Sequence, residues 1–282
     1  MGEALRVLLD PLQYAFMVRG LIAAVVTGGL CALVGTYVVL RGMAFFGDAL
    51  AHSILPGLAL GYLLGGGSRD ALFWWGLGTA ILAALGIGAL SRGGRLKEDT
   101  AIGVLFAGAM ALGVVLISTS RSYAVDLTHL LFGDVLGVGE GDLIRLGIFA
   151  ALIFAVVVLF YKELLVISFD PVLAVTLRLP TRLFENLLLL LIAATVVVAL
   201  QTVGVALMVA MLVTPAATAY LLTRRLPAMM ALAVALAALS SVVGLYASYY
   251  AGVASGAAIV LTATVVFLVV RLAPISRGSS RA

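Results

Sequence analysis

The chain has 282 residues, 64% of them hydrophobic and 11% charged, where an ordinary globular domain carries about 25% charged residues. With a mean hydropathy of +1.24, this excludes a soluble fold and points to an integral membrane protein. The net charge of +4 does not indicate nucleic acid, because the basic residues fall in short segments between apolar runs, where they orient a chain in the bilayer.

Residues 1–13 have neither a basic start nor a small-residue cleavage site, and they read as an interfacial segment rather than a removable signal. Apolar runs long enough to cross the hydrocarbon core follow at 14–40, 49–64, 71–90, 100–119, 143–160, 184–200, 203–222, 228–250 and 254–270. They lack the alternation of a barrel strand, so the expected fold is all-α, a polytopic helical bundle with about eight or nine transmembrane helices in one domain covering 1–282. The first run exceeds a perpendicular crossing and is expected to tilt or to break at Gly28, Gly29 and Gly35. Cys31, the single cysteine, lies inside that run, excludes an intramolecular disulfide and reads as a small packing residue.

The stretch 41–61, RGMAFFGDALAHSILPGLALG, sets an acid and a histidine inside an apolar helix. Asp48 and His52 are four residues apart and share one helix face. Carboxylate oxygen and imidazole nitrogen suit divalent first-row metals. Pro56 lacks the N–H that would pair with the carbonyl of His52, which adds a third polar group if the helix continues. Alternatively, Asp48 caps the helix start and His52 packs against a neighbour. Ionisable groups within a span are costly and tend to mark pathways, which favours the metal reading.

Arg92, Arg95 and Lys97, then Lys162, Arg178 and Arg182, then Arg224 and Arg225, then Arg271, Arg277 and Arg281 form four basic clusters that alternation places on one, cytoplasmic side. The opposite side receives Asp70, Asp126, Asp134, Glu140 and Asp142 against Arg69, Arg121 and Arg145, a mildly acidic face that favours cations. There, Asp126, His129 and Asp134 could hold a metal transiently, or Asp126 could cap a short helix that runs through His129.

Two cytoplasmic stretches suit a protein partner. In the loop 168–182, Asp170 is an expected cap and Pro171 a first helical residue, with closure at Pro180. The region 214–227 starts near Pro215 and Ala216 and ends on Arg224, Arg225 and Pro227; Pro215 frees the carbonyl of Met211 and is expected to kink its span. Residues 272–282 form a cytoplasmic tail. No GxxxxGK[ST] motif is present and no serine, histidine and acid converge, so the chain is not read as an enzyme.

Five blocks carry a resemblance: VLRGMAFFGDALAHSILPGLALGYLLG, GGRLKEDTAIGVLFAGAMALGVVL, HLLFGDVLGV, the run from SFDPVLAVTLRLPTRLFENLL to MVAMLVTPAATAYLL, and SGAAIVLTATVVFLVV. Together they cover nearly the whole chain, the first and fourth being most specific, and the chain resembles the membrane permease of bacterial zinc, manganese and iron ABC importers. The resemblance implies a bundle similar to the vitamin and siderophore permeases, in the bacterial cytoplasmic membrane. It implies a homodimer, cytoplasmic ATPase subunits that hydrolyse ATP, an extracytoplasmic metal-binding protein, no permanently bound cofactor, and a transported zinc, manganese or iron ion. In it Asp48 and His52 look like the acid and histidine of the translocation path, and the region of Pro215 to Pro227 looks like the coupling-helix region.

Loop counting puts Asp48 close to a cytoplasmic span end, whereas a pathway site belongs deeper; a helix that starts part-way through the membrane reconciles the two. One carboxylate and one imidazole per subunit bind weakly enough for the ion to leave. Competing readings are an ABC permease for a metal chelate or cobalamin, which needs neither Asp48 nor His52, an ion-coupled secondary transporter acting alone, and a membrane scaffold without transport.

Overall fold

A computed structural model of the chain describes residues 9–91, 98–119 and 135–273. Among the described residues twelve α-helices follow in order: α1 (Ala15–Leu40), α2 (Phe46–Ser53), α3 (Leu55–Gly65), α4 (Arg69–Ser91), α5 (Glu98–Ser118), α6 (Glu140–Leu159), α7 (Tyr161–Phe169), α8 (Pro171–Thr176), α9 (Thr181–Val203), α10 (Val205–Leu222), α11 (Leu226–Ala251) and α12 (Ser255–Leu272). Eight of them are long and apolar enough to cross a membrane alone. Helix is the structure such sequences must take, because in hydrocarbon every backbone polar group needs an internal partner.

The first run stays helical throughout, so of the two expectations, tilt or a break at its glycines, the break does not occur. In lipid the backbone hydrogen bonds hold, and Gly28 and Gly35 serve contact instead. A Cβ on Gly35 would collide with the carbonyl of Leu212, and one on Gly28 would press on the Ser241 hydroxyl. Bare backbone at these points lets α10 and α11 close onto α1, the small-residue packing expected between membrane helices. Helix α1 becomes the hub of the bundle: 72% of its most apolar window is buried, against 17% for α5, α6 and α12. Those outer helices present Leu112, Ile144, Leu152 and Leu261 outward, as lipid-facing helices do.

Side-chain contacts fix which helix ends lie together. Arg69 pairs with Asp142 at 2.7 Å and Arg145 with Asp70 at 2.6 Å, so α4 and α6 start at one end. Gly20 packs on Val135 and Leu136, just before α6, and Tyr14 stacks on Tyr249 near the end of α11. Helix α1 therefore starts at the same end as α4, and the chain can return only if α2 and α3 together make one crossing. Arg41, Lys162, Arg178, Arg182, Arg224, Arg225 and Arg271 all fall at the opposite end, which the positive-inside rule makes cytoplasmic.

Two cytoplasmic features refine the expectations. Asp170 caps α8 as expected, its carboxylate accepting from the backbone N–H groups of Val172 and Leu173 at 3.0 and 2.9 Å. By contrast the start of the 214–227 region, at Pro215, is not cytoplasmic. It lies within α10, and both Pro215 and Ala216 are buried in the bundle. Packing on α1 and α11 carries the helix through the proline, and only the end of the 214–227 region, including Arg224, Arg225 and Pro227, is exposed.

Candidate metal path

Helix α1 ends on Gly42, whose φ of 71° is the left-handed conformation that suits glycine after a helix. The Met43 N–H donates to the Val38 carbonyl at 3.0 Å and the Gly42 N–H to Val39 at 3.1 Å, which reverses the chain within one turn. That turn is anchored in the bundle by Met43 and Phe46, 2% and 0% exposed. Gly42 and Phe45 of the same turn face outward.

A Cβ on Gly47 would strike the Leu212 side chain, and the His52 ring packs on Phe106 with centroids 5.8 Å apart. Leu212 and Phe106 lie near the middles of α10 and α5, so the pair sits at mid-span depth. This packing, invisible to loop counting, accounts for the difference from the estimate that put Asp48 near the span end.

Between Phe46 and Ala59 every residue is buried except Asp48 and His52. Asp48 Oδ1 and His52 Nε2 are 3.7 Å apart, with the side chains 47% and 28% exposed in the isolated chain. That separation is too long for a hydrogen bond. It lies close to the roughly 3 to 3.5 Å at which two ligand atoms stand when each is about 2.1 Å from one tetrahedral ion. A half-exposed carboxylate at this depth cannot rest against hydrocarbon; it requires water, an ion or a second polar surface.

The third polar group expected from Pro56 takes another form. The helix stops at Ser53, the Ile54 N–H turns back onto the His52 carbonyl, and α3 restarts with Pro56 in its first turn, where a missing N–H costs nothing. The His52 carbonyl is therefore not a bare acceptor. Among the described residues no group of three or more His, Cys, Asp or Glu could hold a metal. One chain offers two ligands here.

Asp126, His129 and Asp134 lie outside the described residues, as do Arg92, Arg95, Lys97, Arg121, Arg277 and Arg281. Phe106 is the site neighbour that sequence reasoning missed, since nothing in the spacing of α5 ties it to a histidine 54 positions earlier.

Among the described residues, eight helices long and apolar enough to span a bilayer, packed in one bundle, define a polytopic membrane protein. Residues 13–273 match the model of the ABC 3 transport family, and the chain belongs to that family. It is 47% identical over 259 residues to the manganese transport system membrane protein MntC of Listeria innocua, covering 92% of this chain and 90% of that one. It is 39% identical over 265 residues to a Haemophilus influenzae protein named "Probable iron transport system membrane protein", covering 94% and 92%. Among solved structures, PsaBC from Streptococcus pneumoniae in complex with Fab superposes with a TM-score of 0.82 at 40% identity, covering 94% of this chain and 95% of that one.

Proposed function

We propose that two copies of this chain form the membrane path of an ABC importer for manganese(II) or iron(II), with each copy contributing Asp48 and His52. The observation that carries the reading is that Asp48 and His52 alone, in the fourteen residues from Phe46 to Ala59, turn away from the core of their own chain. Two exposed ligands at mid-span depth form half a site, and a second copy across a two-fold axis supplies the other half. Oxygen and imidazole donors without thiolate suit manganese and ferrous iron, and the manganese and iron transport named for the relatives favours those ions over zinc.

The ion, delivered by an extracytoplasmic binding protein, exchanges part of its hydration shell for the carboxylates and imidazoles. With few ligands per copy it leaves readily once the path opens inward. ATP binding and hydrolysis by a separate cytoplasmic subunit drive the alternation. Its contact surface is assigned to α8, which exposes Val172, Leu173, Val175 and Leu177 on the cytoplasmic side, where an apolar surface needs a partner. Arg224 and Arg225, with Pro227 at the start of α11, lie at the same cytoplasmic end and line a cavity with Tyr161, Leu165 and Phe169 of α7, while Pro215 and Ala216, being buried, take no part in the contact.

The test is uptake of radiolabelled manganese, iron and zinc by cells lacking their own importers but expressing the permease with its ATPase and binding protein. Manganese or iron accumulation that needs the ATPase, and that is lost in His52→Ala at equal membrane abundance, is the expected result. Uptake independent of the ATPase, or unchanged in His52→Ala, refutes the proposal.

A further inference from the structure

A histidine that ligates a metal is usually steered by its second ring nitrogen, which donates to a carboxylate or carbonyl and fixes the ring plane. Within the single chain, no hydrogen bond from the His52 ring to another described residue forms. Asp48 faces Nε2, with its Oδ1 3.7 Å away. What holds the imidazole is Phe106 of α5, packed against it at 5.8 Å with the two planes inclined at 65°. This is the edge-on arrangement in which aromatic rings attract one another, within their usual range of about 4.5–7 Å.

Other constraints on His52 come from its own helix. Ala51 and Ser53 on either side are buried, which fixes the backbone but leaves the imidazole free to turn about its side-chain bonds. Ser53 is no substitute partner, because its hydroxyl donates back to the Ala49 carbonyl at 2.7 Å. Phe106 is itself half-buried and anchored against the core, so it forms a fixed wall.

We infer that Phe106 is a positioning residue for the metal path: its ring, packed edge-on against the imidazole, holds Nε2 toward Asp48. An apolar wall differs from a hydrogen bond in consequence. It sets the direction of the imidazole without drawing electron density toward the ligating nitrogen, so the nitrogen remains a modest donor and the ion is released easily, as a transport path requires. The inference rests on the reading of Asp48 and His52 as the metal path.

The experiment measures manganese(II) uptake by the complete importer in cells, with KM and maximal rate per permease, for wild type, Phe106→Ala, Phe106→Leu, Phe106→Tyr, His52→Ala and the double variant His52→Ala/Phe106→Ala. Phe106→Leu keeps apolar bulk without the ring and serves if Phe106→Ala fails to reach the membrane. The expected result is a KM raised about tenfold in Phe106→Ala and Phe106→Leu, the lower end of what loss of an orienting partner does to metal affinity. The maximal rate is retained, Phe106→Tyr keeps a KM near wild type, and the substitution adds nothing in the His52→Ala background. Three results overturn the inference: an unchanged KM, a loss confined to the maximal rate, or an effect that adds in full to that of His52→Ala. If His52→Ala itself transports like wild type, the underlying metal-path reading falls first, so the two failures are distinguishable.

Discussion

Asp48 and His52 carry the account at the scale of single residues. Asp48→Asn keeps the shape and polarity of the side chain but removes its charge, and a neutral amide oxygen is a poor ligand for a divalent ion. We expect manganese uptake to fall at least about tenfold at unchanged membrane abundance, as measured by radiotracer and immunoblot, since even orienting partners of a ligand are worth that much. The spacing of these two residues was legible because helix period alone puts positions 48 and 52 on one face. The surroundings were not. That Leu50, Ala51 and Ile54 are buried while Asp48 and His52 face out follows from how α5, α9 and α10 wrap α2, and Phe106 reaches His52 only through that packing.

At the scale of elements, the bundle depends on where backbones touch. At Gly35 a side chain would drive α1 off the Leu212 carbonyl, so Gly35→Val should destabilise the protein by about 1–3 kcal/mol, the range for overpacking a close contact. Gly147 faces open space on α6, and Gly147→Ala should be neutral or stabilising by up to about 1 kcal/mol through helix propensity. Thermal unfolding in detergent of the two variants, opposite in sign, checks this. For α8, Asp170→Ala removes two accepted hydrogen bonds at the helix start, a loss of about 1 kcal/mol of local stability. If α8 meets the ATPase, the variant lowers uptake and ATPase stimulation while leaving manganese binding unchanged in equilibrium titrations of the purified complex. Hydropathy revealed the long spans, because length and apolar content suffice to define them. It could not tell a glycine that breaks a helix from one that admits a neighbour, as at Gly28 and Gly35. The run 203–222 did place Pro215 within a span, as α10 has it, but hydropathy could not show that Pro215 and Ala216 are buried among neighbouring helices instead of lying at the cytoplasmic end.

Across the whole molecule, the two ion pairs Arg69–Asp142 and Arg145–Asp70 tie the extracytoplasmic start of α4 to that of α6, with Arg145 also over the Phe73 ring at 5.7 Å. Helix α4 packs on α3 and on α2, the helix of Asp48 and His52, and α6 leads through α7 to α8. Exposed pairs of this kind are worth about 0–1 kcal/mol each. Arg69→Asp should therefore leave folding nearly intact while altering uptake, and Arg69→Asp/Asp142→Arg should restore it; uptake normalised to membrane abundance reads both. The central claim, that Asp48 faces an aqueous metal path rather than lipid or core, is tested most directly by thiol accessibility. In a chain with Cys31→Ala, Asp48→Cys and the lipid-facing Leu152→Cys are each treated with a small, positively charged thiol reagent in intact membranes. The account predicts rapid modification at position 48 and none at 152; a position 48 as unreactive as 152 would contradict it.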